Sequence, residues 1–412
     1  MKQVNRTVKN NFYSFLWHAS WLALAKAFAE VNTVMPALII NSGGNNLQVG
    51  ILTSIMIGVP LITQVLFAGW MNQKPIKKPY LLLGIYMRVI SLAGGGFTVF
   101  YAQSFGSTIV IGLIFFWMLL FSVSAAFAGI PYTDILGKSI EGDLRKRFFV
   151  TRQFLSSVGV FASAFLAKYF LKHFDYPENY FYMFLTAALF LFFASFGFVN
   201  IKERPTKISD QKESFISVLK KVPVYLVKDS NLRNLSIISN LLSFSVLIAP
   251  FFIVMIKGKF GIEKSTVGQL LMFQVLGMIL SNYLWNKIVR KFEFKGVLKA
   301  VSAVYASLNI LVLLSLEFLP MEAFYVIFFI NGVAFSGYRI SAGGVLLEIT
   351  DEGNRALYSG IYGTANISIS LLPLVYGLII NFVGLKIILI LVSLFTVTAY
   401  YFIGKLKCGK KK

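Results

Sequence analysis

The chain has 412 residues, of which 57% are apolar and only 14% charged, with 41 phenylalanines and a mean hydropathy of +0.73. A soluble domain is about half apolar and about a quarter charged, and a single soluble core stops growing near roughly 250–300 residues. The composition therefore excludes a soluble enzyme, a disordered chain and a fibrous repeat. The net charge of +22, from 39 Lys+Arg against 17 Asp+Glu, would suggest nucleic acid in a soluble protein; in a bilayer it records orientation instead.

About 20 apolar residues cross the hydrocarbon as a helix. Twelve stretches qualify, at 12–40, 47–70, 79–101, 107–136, 148–171, 179–200, 234–256, 265–286, 296–317, 321–347, 356–381 and 384–404. Runs such as Ile109–Phe121 do not alternate, so they read as helices rather than as barrel strands. With the N-terminus inside, the cytoplasmic segments hold 29 of the 39 basic residues and the outer side holds 6 (Lys168, Lys172, Lys257, Lys259, Lys264 and Lys386). This bias predicts both termini in the cytoplasm and an even helix count. It also accounts for the charge without nucleic acid. Ala27–Ala29 resembles a signal-peptidase site, but Lys26 and Glu30 interrupt the apolar run and cleavage would leave an odd number of spans. The first span stays.

Residues 201–233 form the one long loop and carry Lys202, Arg204, Lys220, Lys221 and Arg233 among other charges. They divide the chain into an N-terminal six-helix bundle (1–200), a basic cytoplasmic connector (201–233) and a C-terminal six-helix bundle with a basic tail (234–412). Within the connector Phe215, Val218, Leu219, Val222 and Leu226 recur at helical spacing, which fits an amphipathic surface helix, although Pro223 would kink or end it; a solvated tether between two bundles is the equal alternative. A shift of 208 aligns Gly129 with Gly337, Asp143 with Asp351 and Arg147 with Arg355, while a shift of 218 aligns Lys77 with Lys295. Each pair falls at an equivalent helix end, as duplicated transporter halves would place it. Cys408 is the single cysteine, and His18 and His173 are the two histidines, so no disulfide, metal cluster or cofactor is expected.

The six-plus-six arrangement, the basic central loop and the inner-loop motifs resemble the major facilitator superfamily over essentially the whole chain. In that family the loop after helix two reads Gly-x-x-x-Asp-Arg/Lys-x-Gly-Arg/Lys-Arg/Lys. Here Gly69, Lys74, Lys77 and Lys78 match, and Gln73 and Ile76 depart. Ile130-Pro131-Tyr132, with Asp143, Arg147 and Arg152, is similar to the loop between helices four and five, and Glu348 to Arg355 with Pro373 and Gly377 looks like its second-half counterpart. The resemblance implies an all-α integral membrane protein of 12 transmembrane helices in two pseudo-repeat bundles. It also implies alternating access, with Gly69, Lys74, Lys77, Lys78, Asp143, Arg147, Asp351 and Arg355 in gating loops.

Four basic residues fall inside predicted spans: Lys26, Arg88, Arg152 and Arg339. Each costs about 2.5–3.5 kcal/mol at a helix centre on the insertion scale. Arg152 is expected to form a structural ion pair with Asp134. Arg88 is as readily explained by snorkelling or a structural partner as by function. Lys26 and Glu30 are four apart, hence on one face of a continuous helix. They are either a self-neutralising pair or groups facing the cavity that helix one lines in the resembled fold. Arg339 shares a small, polar strip with Gly332, Ser336 and Gly343, and its planar fork suits a carboxylate or phosphate; a lock with Glu30 is the competing reading. Asn240 and Asn366 are the better cavity candidates among buried amides. Gln274, Asn282, Asn309 and Asn331 read as interhelical glue, and Trp17, Tyr180 and Trp285 as interfacial belts.

These residues suggest a secondary active transporter of the plasma (inner) membrane. It would move a small polar solute, anionic or zwitterionic, possibly coupled to protons, and act as a monomer in the lipid bilayer. A proton-coupled exporter of lipophilic cations is the alternative within that class; a membrane sensor or lipid flippase is the alternative outside it. No phosphate-binding Gly-x-x-x-x-Gly-Lys-Ser/Thr loop occurs, and no catalytic constellation suggests an enzyme.

Overall fold

The computed structural model describes residues 6–140, 142–205, 215–261, 264–350 and 355–407, and every regular element among them is helical. The first span consists of α1 (Arg6–Ala25), a 3-10 turn (Lys26–Ala29) and α2 (Val34–Asn41), with a bend of 41°. The first half continues with α3 (Asn46–Asn72), α4 (Lys78–Phe100), α5 (Ser107–Ser139), α6 (Gly142–His173) and α7 (Glu178–Val199). The connector contributes α8 (Phe215–Lys228), and α9 (Ser230–Leu247) and α10 (Ala249–Phe260) share the next span. Then come α11 (Lys264–Phe318), α12 (Ala323–Glu348), α13 (Arg355–Ala365), α14 (Leu372–Val383) and α15 (Leu385–Lys405).

Ten of the described helices are long and apolar enough to cross a bilayer, or eleven when the bent pair counts as one span. The 55-residue α11 holds Glu293 at φ 58° and ψ −176°, a conformation that ends a helix, so it is two spans. Counted this way, the described residues hold twelve spans, at the places the hydropathy predicts. Because the left-handed region strains any residue with a Cβ, Glu293→Gly is expected to raise stability by about 1 kcal/mol, read from the melting temperature in detergent.

Proline explains where spans break. It lacks an N–H and crowds the carbonyl four residues back, and Pro36, Pro250 and Pro373 each sit just after an interruption, at 30–33, 248 and 366–371. Pro60, Pro131 and Pro223 stay inside continuous helices, so proline alone is insufficient. Inside a bilayer a freed backbone group must find a partner. At each break a side chain bonds the backbone. The Asn32 amide donates to the Glu30 carboxylate at 2.8 Å and the Ala27 amide to Ser163 Oγ at 3.2 Å. Phe244 O, the carbonyl that α9 leaves open, accepts from the Tyr376 hydroxyl at 2.8 Å. Asn366 Nδ2 donates to Tyr362 O at 2.7 Å.

The chain divides into two compact units, Met1–Gly44 with Ile55–Glu213, and Asn45–Ser54 with Ser214–Lys412. In the first, α1 packs on α6 and α7, and α4 on α5 and α7. Its core at one end is aromatic: the buried Phe15 ring stands edge-on to Tyr132, Phe148 and Phe198, with centroids 5.2–5.9 Å away.

In the second unit α12 lies directly on the first half of α11. A Cβ added at Gly332 would stand 2.0 Å from Gln274 O, and one at Gly277 would stand 2.1 Å from Phe329 O. Helices in lipid gain little from excluding apolar surface, so this backbone-to-backbone approach supplies the packing. Gly332→Leu is expected to cost about 3 kcal/mol or more, seen as loss of the monodisperse peak on gel filtration. A hydroxyl–amide cluster joins α9, α11 and α15: Ser245 Oγ meets Thr396 Oγ1 at 2.6 Å and accepts from Asn309 Nδ2 at 2.9 Å.

Several expectations change. The connector is helical at α8, which packs on α9 and α13 through Tyr225 and Tyr358, so it is not a bare tether there. Tyr180 and Trp285 are no interfacial belt: both are under 2% exposed, Tyr180 accepting from Asn41 Nδ2 and Trp285 donating to Val333 O.

Candidate functional site

The first unit contains a hollow with about 570 Å³ of empty space, part of it open to solvent. It is bounded by α1, α4, α5 and α6, and its lining includes His18, Lys26, Arg88, Tyr132, Arg152 and Ser156. Three cations therefore meet there, and no Asp or Glu is among the lining residues. Arg88 donates from Nε to Ser124 Oγ at 3.0 Å and lies 5.4 Å from the Phe121 ring centroid. Arg152 lies 5.5 Å from the Tyr132 ring centroid. Among the described residues no carboxylate pairs with either guanidinium. His18 is buried, its Nδ1 3.2 Å from Ala194 O. A carbonyl only accepts, so Nδ1 carries the proton and Nε2 keeps a lone pair.

The expected Asp134–Arg152 ion pair is absent. Asp134 pairs instead with Lys77 Nζ at 3.2 Å and with Lys138, one turn further along α5. The reason is helical phase. Tyr132 lines the hollow beside Arg152, and two residues on, at about 100° per residue, Asp134 points to the opposite side.

Lys26 and Glu30 are also rearranged. The helix unwinds between them, so four-residue spacing does not put them on one helical face. Lys26 is exposed at the hollow. The Glu30 carboxylate turns to the start of α2 and accepts from the Asn32 amide, Asn32 Nδ2 at 3.0 Å and Thr33 Oγ1 at 2.8 Å. It closes the turn that leads into α2, near the N-terminal end of a half-helix whose dipole favours an anion. Glu30→Ala is expected to cost about 1–2 kcal/mol, measured by melting in detergent, and Glu30→Gln less.

In the second unit Arg339 is exposed on α12, 5.9 Å from the Phe335 ring centroid. The strip expected beside it is mostly interhelical packing: Gly332 abuts α11 and Ser336 donates to Asn282 Oδ1 at 3.1 Å. Asn240 and Asn366 do meet. Asn240 Nδ2 donates to Asn366 Oδ1 at 2.7 Å, and Ser368 Oγ donates to Asn240 Oδ1 at 3.1 Å, at the break between α13 and α14.

Of the gating residues, Lys77 is 2% exposed and bonded to Asp134, whereas Lys74 lies over the Trp70 ring at 4.8 Å. Lys78 Nζ donates to Val199 O at 2.6 Å and to Ile201 O at 3.1 Å. Gly69 lies within α3 and Arg147 is exposed on α6. Asp143 and Arg355 fall in α6 and α13, but their side chains, like the whole of Asp351, lie outside the described residues. The member that the motif reading misses is Glu203. Its buried carboxylate accepts from the amides of Lys77 (2.9 Å) and Lys78 (2.7 Å) and from Lys138 Nζ (3.3 Å), fastening the end of α7 to the start of α4.

Residues 233–407 match the family model of the Major Facilitator Superfamily. The chain has the major facilitator fold. A POT family transporter crystallised with 5-aminolevulinic acid superposes with a TM-score of 0.72 at 12% identity, over 98% of this chain and all of that one. A bacterial homologue of the iron transporter ferroportin, in an inward-facing state, gives 0.67 at 12% identity over 98% and 99%, and the nucleoside transporter NupG gives 0.65 at 12% identity over 99% and 100%. No curated protein matches the chain in sequence. At this identity the likeness concerns the fold, and it extends over both halves, whereas the family model matches the second.

Proposed function

We propose that the protein is a secondary active transporter that moves a small anionic organic solute by alternating access. In this reading it is a monomer of the plasma (inner) membrane with both termini in the cytoplasm. One observation carries it: Lys26, Arg88 and Arg152 line one hollow that no carboxylate lines. A charge in a membrane interior is expensive, and such groups mark solute pathways unless they pair. Structural arginines would have been neutralised by an acid of the chain, as Asp134 and Glu203 neutralise Lys77 and Lys138, whereas among the described residues no carboxylate pairs with Arg88 or Arg152. The excess positive charge also speaks against an exporter of lipophilic cations, which like charge would repel. The basic bias of the predicted inner loops supports the orientation.

Proteoliposomes containing the full chain, offered labelled anionic, neutral and cationic small solutes with and without a proton ionophore, test this. Anionic solutes are expected to accumulate at least ten-fold over empty liposomes, and the ionophore arm reads whether protons drive them. Flux of cations with anions inert would contradict the assignment.

A further inference from the structure

Arg88 and Arg152, which no carboxylate among the described residues pairs with, together bring more positive charge to the first-unit hollow than a singly charged solute would neutralise. Resting on the anionic-solute reading above, we infer that it binds the phosphate group of a phosphorylated ligand, with Arg88 and Arg152 as the two guanidinium contacts.

A guanidinium carries five N–H donors in a fixed plane and accepts none. Arg88 uses Nε on Ser124, which leaves its two terminal amino groups without a further hydrogen-bond acceptor among the described residues. Arg152 has a ring contact with Tyr132 and no hydrogen bond or ion pair among them. The Tyr132 hydroxyl, beside the same hollow, is buried with no hydrogen-bond partner. A buried donor left unmade costs about 1–3 kcal/mol, and more when charged. The site is thus under-supplied with acceptor oxygens.

Charge and shape then select the ligand. A carboxylate brings one negative charge and two oxygens in a plane, whereas a phosphate monoester brings a charge of about −1.5 to −2 at pH 7 and three acceptor oxygens arranged in three dimensions. Guanidinium groups on α4 and α6 approach from different helices, an arrangement that a tetrahedral oxyanion can bridge with paired N–H···O bonds to each. Lys26, exposed at the rim, adds a point charge. His18, with a lone pair on Nε2, offers an acceptor that suits a hydroxyl on the organic part of the ligand or on a protonated phosphate. The aromatic cluster of Phe15, Phe148 and Phe198 backs the hollow and keeps the local dielectric low, which strengthens each charge-assisted bond.

A soluble ester and a lipid headgroup both present this phosphate chemistry, and titration calorimetry on the full chain in neutral detergent separates the two. The titrants are methyl phosphate, inorganic phosphate, succinate and acetate, together with phosphatidylcholine vesicles with and without phosphatidic acid. Methyl phosphate is expected to bind at least ten-fold more tightly than acetate or succinate. Arg152→Gln and Arg88→Gln should each weaken it ten-fold or more, with Arg152→Lys recovering part of the loss. Capture of phosphatidic acid with methyl phosphate inert supports the phosphate assignment and places its source in lipid. Acetate or succinate binding as tightly as methyl phosphate overturns the phosphate assignment and leaves an anion transporter standing. Failure of every anion to bind overturns both. Should Arg88→Gln not fold, Arg152→Gln and Arg152→Lys decide alone, because among the described residues the Arg152 side chain makes no hydrogen bond that holds helices together.

Discussion

Glu203→Ala is expected to be the most destabilising single substitution outside the glycine crossing, costing about 3–5 kcal/mol. The carboxylate is almost wholly buried and does two things. It caps the start of α4 through the amides of Lys77 and Lys78, and it balances Lys138, which shares Asp134 with the buried Lys77. Removing it leaves two amides unmet and a buried cation cluster with one carboxylate instead of two. Breaking a buried pair by deleting one partner costs about 3–5 kcal/mol. Glu203→Gln keeps an acceptor and the side-chain volume, so it should lose roughly half as much. The check is the melting temperature of the purified protein, with Glu178→Ala as a control at the start of α7. Equal melting of Glu203→Ala and the control would show that the network contributes nothing.

Arg152→Leu is expected to act in the opposite sense on stability while abolishing transport. A partly buried guanidinium without a carboxylate partner is a cost that the fold tolerates for function. Replacing an uncompensated charge with an apolar side chain of lesser volume should raise stability by about 1–3 kcal/mol. Solute flux into proteoliposomes should fall at least 100-fold, about 2.7 kcal/mol at 1.36 kcal/mol per decade. A structural arginine would give the reverse pattern, with lower melting and flux lost only in proportion to misfolded protein. The pair of readouts therefore separates the two roles in one variant.

The spans were legible because hydropathy is a property of composition over about 20 residues, and neither tertiary packing nor side-chain partners alter it. Even the two spans merged in α11 could be read apart, since Lys287, Arg290, Lys291 and Glu293 interrupt the apolar run. The breaks within spans were harder. Pro36, Pro250 and Pro373 are visible in the sequence, but so are Pro60 and Pro131, which break nothing. The polar groups that bond the backbone at the breaks are distant in sequence for Ala27 (Ser163) and for Phe244 (Tyr376), so the proline pattern does not reveal them.

The same limit governs the site. Counting charges found Lys26, Arg88, Arg152 and Arg339, because intramembrane charges are rare enough to count. Partners across helices carry no comparable signal. Asp134 lies at the inner end of its span, within reach of Arg152 by depth, yet the phase of α5 turns it away. The four-residue spacing of Lys26 and Glu30 puts them on one face only of an unbroken helix, and the helix unwinds between them. Glu203 was missed because a lone glutamate after a span looks like an ordinary loop residue. Its neighbours Val199 and Ile201, whose carbonyls hold Lys78, carry no sequence signal at all.

The central claim is that the hollow among α1, α4, α5 and α6 receives an anion. Anomalous diffraction from crystals of the full chain soaked in selenate, a tetrahedral dianion, tests it most directly. A selenium peak is expected in the hollow, with oxygens within hydrogen-bonding distance of the Arg88 and Arg152 guanidinium groups, and it should be lost in Arg152→Leu. A hollow without a peak, or one in which those guanidinium groups have closed onto a carboxylate of the chain, would contradict it.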